Sequence, residues 1–274
     1  MVEIFTEAGL PEGVLQTIHC GNLETLEKLV ARPEIRSIAF TGSVAGGITI
    51  QKTAASRVVP VGLELGGNDP AYVRADVDIA WVAEEIVDGA VFNSGQSCCS
   101  IERVYVHEAI YEEFLVKVVK VLEGYRLGDP FDPKTHLGPV VAIKSAKAIS
   151  EHVADAIKKG ARLLTPDVFA GGQKLGETFV RPELLADCTH EMRVMNEETF
   201  GPVIPVQKVS GDEEAIRLMN DSEFGLTASV WTKDVEQGAA VVEMIEAGTV
   251  FVNRCDYPSP VTSIPIASGL SDMH

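Results

Sequence analysis

The hydrophobic positions of this chain alternate between two patterns as the sequence proceeds. In some segments apolar residues recur at the helical spacing, and in others they form short runs rich in β-branched residues. In the first part of the chain, helices are predicted at residues 2–8, 23–31, 44–55 and 79–91, and extended segments at residues 14–19, 37–40, 58–63 and 104–106. A repeated succession of strand and helix is typical of an α/β fold built on a parallel sheet.

The same alternation continues through the rest of the chain. Helices are predicted at residues 111–124, 143–159, 213–219 and 235–245, and strands at residues 203–209, 229–231 and 249–252. The glycine pair Gly66-Gly67 is the predicted boundary between two domains. Residues 259–274 show little periodicity and are predicted to form an irregular tail.

Composition and charge limit the classes of partner that this chain is expected to bind. Of the 274 residues, 46% are apolar and 23% are charged, which is typical of a globular protein with a real core. The formal net charge is −17, whereas nucleic acids and anionic membranes are bound by clustered Lys and Arg. We therefore expect a small-molecule partner, and neither nucleic-acid nor membrane binding.

The cysteines give no sign of a structural metal or a disulfide framework. The five cysteines are scattered and odd in number, and no C-x-x-C pair or Cys/His ligand spacing is present. The acidic N-terminal segment does not resemble a secretory signal, and no apolar run is long enough to span a membrane. These features predict a reducing, cytoplasmic setting and no metal site.

One cysteine pair lies in a segment where a thiol is accessible to substrate. Residues 91–99 read Val-Phe-Asn-Ser-Gly-Gln-Ser-Cys-Cys, a small polar turn between two apolar runs. A thiol becomes a good nucleophile where helix N-termini or hydrogen-bond donors favour the thiolate. For the isolated Cys20, Cys188 and Cys255, the role of a small buried apolar residue is the better interpretation.

Two further segments carry candidate chemistry. Glu64 ends an extended run just before Gly66-Gly67, where it could take a proton from water, although most carboxylates of this acidic chain are solvated or paired at the surface. The turn Phe40-Thr41-Gly42-Ser43 joins a predicted strand to a predicted helix, whose free backbone N–H groups suit a phosphate. The turn alone is a weak signal, because every strand-to-helix connection has one.

Four segments, taken together and in this order, resemble the NAD(P)-dependent aldehyde dehydrogenase family. They are residues 40–43, 63–70, 91–99 and 197–202, the last reading Glu-Glu-Thr-Phe-Gly-Pro. The resemblance implies an α/β aldehyde dehydrogenase-like fold with a partial Rossmann-type NAD(P)-binding domain at residues 1–66 and an α/β catalytic domain at 67–258, before the tail at 259–274. It also implies that the chain is truncated at both ends relative to such an enzyme.

The resemblance assigns roles to individual residues. In the family pattern the nucleophile stands two positions after Gly-Gln, which selects Cys98 over Cys99, and Glu64 takes the position of the general base. The positions matching cofactor contacts are Phe40, Gly42, Ser43, Gly47, Leu65, Glu198 and Phe200. Position 45, often Glu in the family, is Ala45 here.

The implied reaction is the oxidation of an aldehyde to a carboxylic acid with NAD or NADP, through a cysteine thiohemiacetal and a thioester. Two alternatives remain open. In the first, the chain is a non-catalytic relative that acts as an interaction module. In the second, it is a thiol esterase that needs no nicotinamide cofactor. The form of assembly is open between a homo-oligomer and pairing with a full-length relative.

Overall fold

The structure is a computed structural model that describes residues 1–170 and 172–255. These residues form two units, of which the first ends at Leu63 and the second begins at Glu64. The predicted tail at 259–274 lies outside the described residues.

The first unit holds three helices and a two-stranded sheet. These are helices α1 (Val2–Glu7), α2 (Leu23–Val30) and α3 (Val44–Ala54), and strands β1 (Ile38–Thr41) and β2 (Val61–Glu64), which pair with each other. Asn22 and Ser43 cap α2 and α3, because each side-chain oxygen accepts a hydrogen bond from a backbone N–H in the first turn. A small core of Val30, Ile50 and Ala54 joins these elements.

The predicted helices and strands of this unit are confirmed with small differences at their ends, with one exception. Residues 14–19, predicted to be extended, form no strand and are largely exposed to solvent. A strand is stabilised by hydrogen bonds to a neighbour, and the two-stranded sheet of this unit contains only β1 and β2. The prediction of a strand there is wrong.

The second unit is built on a seven-stranded sheet. Its strands are β3 (Asp69–Val73), β4 (Ile101–His107), β5 (Arg162–Leu163), β6 (Glu183–Ala186), β7 (Val203–Val209), β8 (Thr227–Trp231) and β9 (Thr249–Val252). Their spatial order is β5-β6-β7-β4-β3-β8-β9, and every neighbouring pair is parallel except the antiparallel pair β5 and β6. The predicted α/β fold with a parallel sheet is confirmed.

Helices cover both faces of this sheet. They are α4 (Ile79–Val91), α5 (Tyr111–Glu123), α6 (Ile143–Lys158), α7 (Asp212–Asn220) and α8 (Val235–Val242). The buried residues of α4 and α5 share one hydrophobic cluster with Val104 and Val106, whereas those of α6, α7 and α8 share a second cluster with Tyr105. Successive strand residues point to opposite faces, so the two clusters lie on the two sides of the sheet.

The central strand β3 and the strand β6 were not predicted from the sequence. All five residues of β3 are buried, so the strand shows no polar alternation, and Pro70 inside it favours a turn in a sequence-based reading. In the sheet β3 pairs in parallel with β4, with Asp69 opposite Ile101. This register brings the residues just before Asp69 beside those just before Ile101.

No helix in the described part of the chain is long and apolar enough to cross a membrane.

We predict that Ile86→Ala lowers the free energy of unfolding by about 2–5 kcal/mol, because Ile86 lies in α4 with 0% of its surface exposed and its loss leaves a cavity. Urea denaturation of both proteins measures the difference. Val116→Ala, on the solvent side of α5, is the matched control and should change stability by no more than about 0.5 kcal/mol. Equal losses in the two variants would contradict the packing described here.

Candidate functional site

The turn that carries the cysteine pair has an unusual backbone. After α4 ends at Val91, Asn93 and Ser94 adopt left-handed conformations with φ of 50° and 58°, and Gly95 follows with φ of 70°. A Cβ at Gly95 would overlap the carbonyl group of Gly201, so only glycine fits. This sharp turn leads the chain from the buried helix to a cysteine at the surface.

The Cys98 thiol is exposed, and its neighbour Cys99 is buried. Their Sγ atoms lie 3.7 Å apart. The hydrogen bond with Cys99 lowers the pKa of Cys98 to about 7, helped by the backbone N–H of Cys98 itself and opposed by partial burial. A substantial fraction of this thiol is therefore thiolate at neutral pH, which is the nucleophilic form.

Two carboxylates act on this thiol. The negative charges of Glu198 and Glu64 both raise the pKa of Cys98, and so partly offset the effect of Cys99. Glu64 is exposed at the end of β2, and Glu198 is half-buried and accepts a hydrogen bond from the backbone N–H of Gly67 at 3.1 Å. Burial raises the pKa of Glu198 to about 7. The structure thus brings the predicted nucleophile, the predicted base and Glu198 into one electrostatic environment.

Gly66 and Gly67 pack closely against groups of the site. A Cβ at Gly66 would overlap both carboxylate oxygens of Glu198. A Cβ at Gly67 would lie 2.5 Å from the carbonyl oxygen of Cys98 and 2.6 Å from Oδ1 of Asp69. The space beside these two glycines is thus occupied by the protein's own groups.

Sequence reasoning missed a buried carboxylate that joins three segments of the site. Glu102 lies in β4 with 3% of its surface exposed, and it accepts hydrogen bonds from the backbone N–H groups of Phe200 at 2.7 Å and Thr199 at 2.8 Å. Nδ2 of Asn68 donates a third at 3.1 Å. Burial, followed by the charge of Glu198, raises the pKa of Glu102 to about 8. The available signal was a charged pair, Glu102-Arg103, inside an otherwise apolar strand.

Arg103 and Asp69 complete the buried polar layer. Arg103 donates from Nε to the carbonyl oxygen of Asn68 at 2.8 Å, and its other nitrogens donate to carbonyl oxygens of α7. Asp69 accepts a hydrogen bond from Oγ1 of Thr227 at 2.5 Å, and burial raises the pKa of Asp69 well above its usual range. Neither residue was predicted to belong to the site.

Four of the predicted cofactor residues belong to the first unit, at the turn before α3. The ring of Phe40 packs over this turn, so that a Cβ at Gly42 would lie 2.7 Å from its Cζ atom. Oγ of Ser43 accepts from the N–H of Gly46 at 3.2 Å, and the N–H of Gly47 donates to the Ser43 carbonyl oxygen at 2.9 Å. Gly42 is thus required by Phe40, and Ser43 acts locally as a helix cap.

The remaining predicted cofactor residues lie in the second unit. Leu65 is buried, Glu198 faces the Gly66-Gly67 turn, and Phe200 exposes 39% of its surface with a left-handed φ of 49°. The exposed ring of Phe200 offers an apolar surface, and the carboxylate of Glu198 offers hydrogen-bond acceptors. Among the described residues, no group of three or more His, Cys, Asp or Glu is arranged to hold a metal ion.

The chain matches a known protein family along most of its length. Residues 1–267 match the family described as the aldehyde dehydrogenase family. The chain belongs to this family. The predicted resemblance is therefore confirmed.

Individual aldehyde dehydrogenases are similar along most of this chain. Aminoaldehyde dehydrogenase 1, peroxisomal, from Pisum sativum is 40% identical over 257 residues, which covers 94% of this chain and 51% of that protein. The crystal structure of an NADP-dependent glyceraldehyde-3-phosphate dehydrogenase from Bacillus halodurans C-125 with NADP superposes with a TM-score of 0.91 at 36% identity, covering 99% of this chain and 55% of that one. An NAD-dependent aldehyde dehydrogenase from Sinorhizobium meliloti gives a TM-score of 0.91 at 33% identity, covering 99% and 53%.

The chain spans about half the length of the curated aldehyde dehydrogenases it matches. The predicted aldehyde dehydrogenase fold is confirmed. The domain limits at 1–66 and 67–258, and the roles given to Cys98, Glu64 and the cofactor residues, stay predictions.

We predict that Cys99→Ala raises the pKa of Cys98 from about 7 toward the ordinary thiol value of about 8.5, because the hydrogen bond with Cys99 is the main cause of the lowered value. Iodoacetamide labelling of the Cys98 peptide, followed by mass spectrometry across pH, should show a midpoint at higher pH and roughly tenfold slower labelling at pH 7. Cys188→Ala is the control, since burial raises the pKa of Cys188 to about 12. An unchanged midpoint in Cys99→Ala would contradict this explanation.

We also predict that Gly67→Ala destabilises the protein more than Gly66→Ala. The Cβ at Gly67 meets a backbone carbonyl, so Gly67→Ala should cost about 1–3 kcal/mol, whereas the Cβ at Gly66 displaces only the end of the Glu198 side chain. Urea unfolding of both variants gives the comparison. The reverse order would mean that the two glycines do not have the contacts described.

Proposed function

We propose that this chain oxidises an aldehyde to a carboxylic acid with NAD+ or NADP+, using Cys98 as nucleophile and Glu64 as general base. The main support is a single observation, the exposed Cys98 thiol, whose pKa is about 7 although Glu64 and Glu198 both act to raise it. Membership of the aldehyde dehydrogenase family supports the reaction class.

The first step follows from the thiolate. Cys98 attacks the carbonyl carbon of the aldehyde, a C–S bond forms, and the carbonyl electron pair moves to oxygen to give a thiohemiacetal anion. The backbone N–H of Cys98 already stabilises negative charge on this residue, since it contributes to the low pKa of the thiol. A donor in this position suits the developing oxyanion.

Residues of each unit, taken separately, have the chemistry to hold a part of NAD(P)+. Glu198 would accept hydrogen bonds from ribose hydroxyl groups, and the exposed ring of Phe200 would pack beside the nicotinamide. In the first unit, the free N–H groups at the start of α3, after Gly42 and Ser43, suit a phosphate. When bound, NAD(P)+ supplies a hydride acceptor that converts the thiohemiacetal to a thioester.

Glu64 completes the cycle. An exposed carboxylate can remove a proton from water, and the resulting hydroxide attacks the thioester carbon. The C–S bond then breaks, so that the carboxylic acid leaves and Cys98 returns as thiolate. Glu64 passes its proton to solvent.

A cofactor-independent thiol esterase is the second candidate. The low pKa of Cys98 and the presence of Glu64 in its environment require no nicotinamide, so an activated ester could acylate Cys98 and be hydrolysed by the same base. Failure of both activities in folded protein would favour the third hypothesis, an interaction module that pairs with a longer relative.

The proposed setting is cytoplasmic and the proposed partner is a small aldehyde. The net charge of −17 supports a small-molecule partner over nucleic acid or an anionic membrane. The proposed reaction uses Cys98 as a thiolate, which requires a reducing compartment. A homo-oligomer is proposed alongside pairing with a longer relative.

The test is NADH or NADPH formation by the purified chain with aliphatic, aromatic and amino-substituted aldehydes. We expect turnover in the wild type, none in Cys98→Ala, and in Glu64→Gln a single burst of reduced cofactor followed by turnover slower by about 10²–10⁴-fold. Cys188→Ala, a buried cysteine outside the site, is the control. Ester hydrolysis that depends on Cys98, without any cofactor reduction, would instead support the thiol esterase.

A further inference from the structure

We propose that Glu102 is a positioning residue, whose buried carboxylate fixes the segment carrying Glu198 and Phe200 against the Gly66-Gly67 turn and so sets where Glu198 stands relative to the Cys98 thiol. The inference deepens the proposed function and rests on it for the roles of Cys98 and Glu198.

The contacts of Glu102 join three separate parts of the chain. Glu102 stands four residues after Cys98, on the strand that the cysteine turn leads into. Its two oxygens accept from the backbone N–H groups of Thr199 and Phe200, on either side of which stand Glu198 and the Gly201 that packs on Gly95. No flexible side chain intervenes on the loop side, so the carboxylate fixes the loop backbone directly.

Asn68 extends this connection to the glycine turn. Its Nδ2 atom donates both to Oε2 of Glu102 and to the carbonyl oxygen of Glu197 at 3.2 Å. The residue before Asn68 is Gly67, whose N–H holds the carboxylate of Glu198. Glu198 is therefore held from both ends, through its backbone by Glu102 and through its side chain by Gly67.

The position of Glu198 can be measured through its effect on the pKa of Cys98. Glu102 is faced by Glu198 and by the buried Asp69, and Cys98 is faced by Glu198 and Glu64. Because the charge of Glu198 raises the pKa of Cys98, release of Glu198 toward solvent would lower that pKa further. General loosening of the site would have the opposite effect, since it would also remove the hydrogen bond with Cys99.

The experiment compares Glu102→Gln with wild type by two measurements that need no cofactor. The first is hydrogen exchange of the peptide spanning residues 196–202, and the second is the pH midpoint of iodoacetamide labelling at Cys98. We expect the Thr199 and Phe200 amides to exchange at least about tenfold faster, because the Gln side chain places an NH2 donor where Glu102 has an acceptor oxygen, which leaves one backbone N–H without its partner. We expect the Cys98 midpoint to move to lower pH.

Glu183→Gln is the matched control. Glu183 is a hydrogen-bonded carboxylate on β6 of the same sheet, where it accepts from Thr165 and Arg181, outside the site. The control should leave both measurements unchanged. Should Glu102→Gln fail to fold, Glu102→Asp keeps the carboxyl group but shortens the side chain, and the same direction is expected in both measurements.

Three results would overturn the proposal. They are unchanged exchange in residues 196–202, a Cys98 midpoint that moves to higher pH, and faster exchange of the loop with no change of the midpoint. A wild-type chain that forms no NADH would refute the proposed function and leave both measurements intact. With an active wild type, we further expect Glu102→Gln to raise KM for NAD+ about tenfold or more while kcat changes less.

Discussion

The parallel pairing of β3 with β4 is the constraint on which the site depends. Asp69 lies opposite Ile101, so the residues that precede the two strands run side by side at the same edge of the sheet. Gly67 and Cys98 both belong to these preceding residues, and they approach so closely that no Cβ fits between the glycine and the cysteine carbonyl. The register shifts by one residue after Asp69, so that Pro70 lies opposite Arg103, and the two strands then stay paired in order up to Val73 and Val106.

The same arrangement gathers negative charge around a nucleophile that must itself become negative. Glu64 and Glu198 both disfavour the Cys98 thiolate, and partial burial acts in the same direction. The thiol nevertheless has a pKa of about 7, because Cys99 and the backbone N–H of Cys98 stabilise the thiolate through hydrogen bonds. Short-range hydrogen-bond donors therefore outweigh the effect of the carboxylates on the pKa of Cys98.

Buried polar groups hold this site together where an apolar core would not. Glu102 and Arg103 are nearly inaccessible to solvent, and each is bound by several hydrogen bonds to backbone groups of other segments. A buried ionisable group is tolerated only where hydrogen-bond partners of this kind are supplied, so these residues specify one arrangement of the loops they join.

The sequence by itself determined the helices, most strands and the family. A helix repeats its apolar positions within a few residues and a buried strand forms a short apolar run, as α4 and β7 show, and the family motifs are equally local. Only the tertiary structure decided that β3 is a central strand, that Gly66 and Gly67 make room for Glu198 and Cys98, and that Glu102 joins the site. The partners of Glu102 lie 34 and 97 residues away along the chain, so no local pattern records them. Contacts of that kind exist only once the sheet has brought distant segments together.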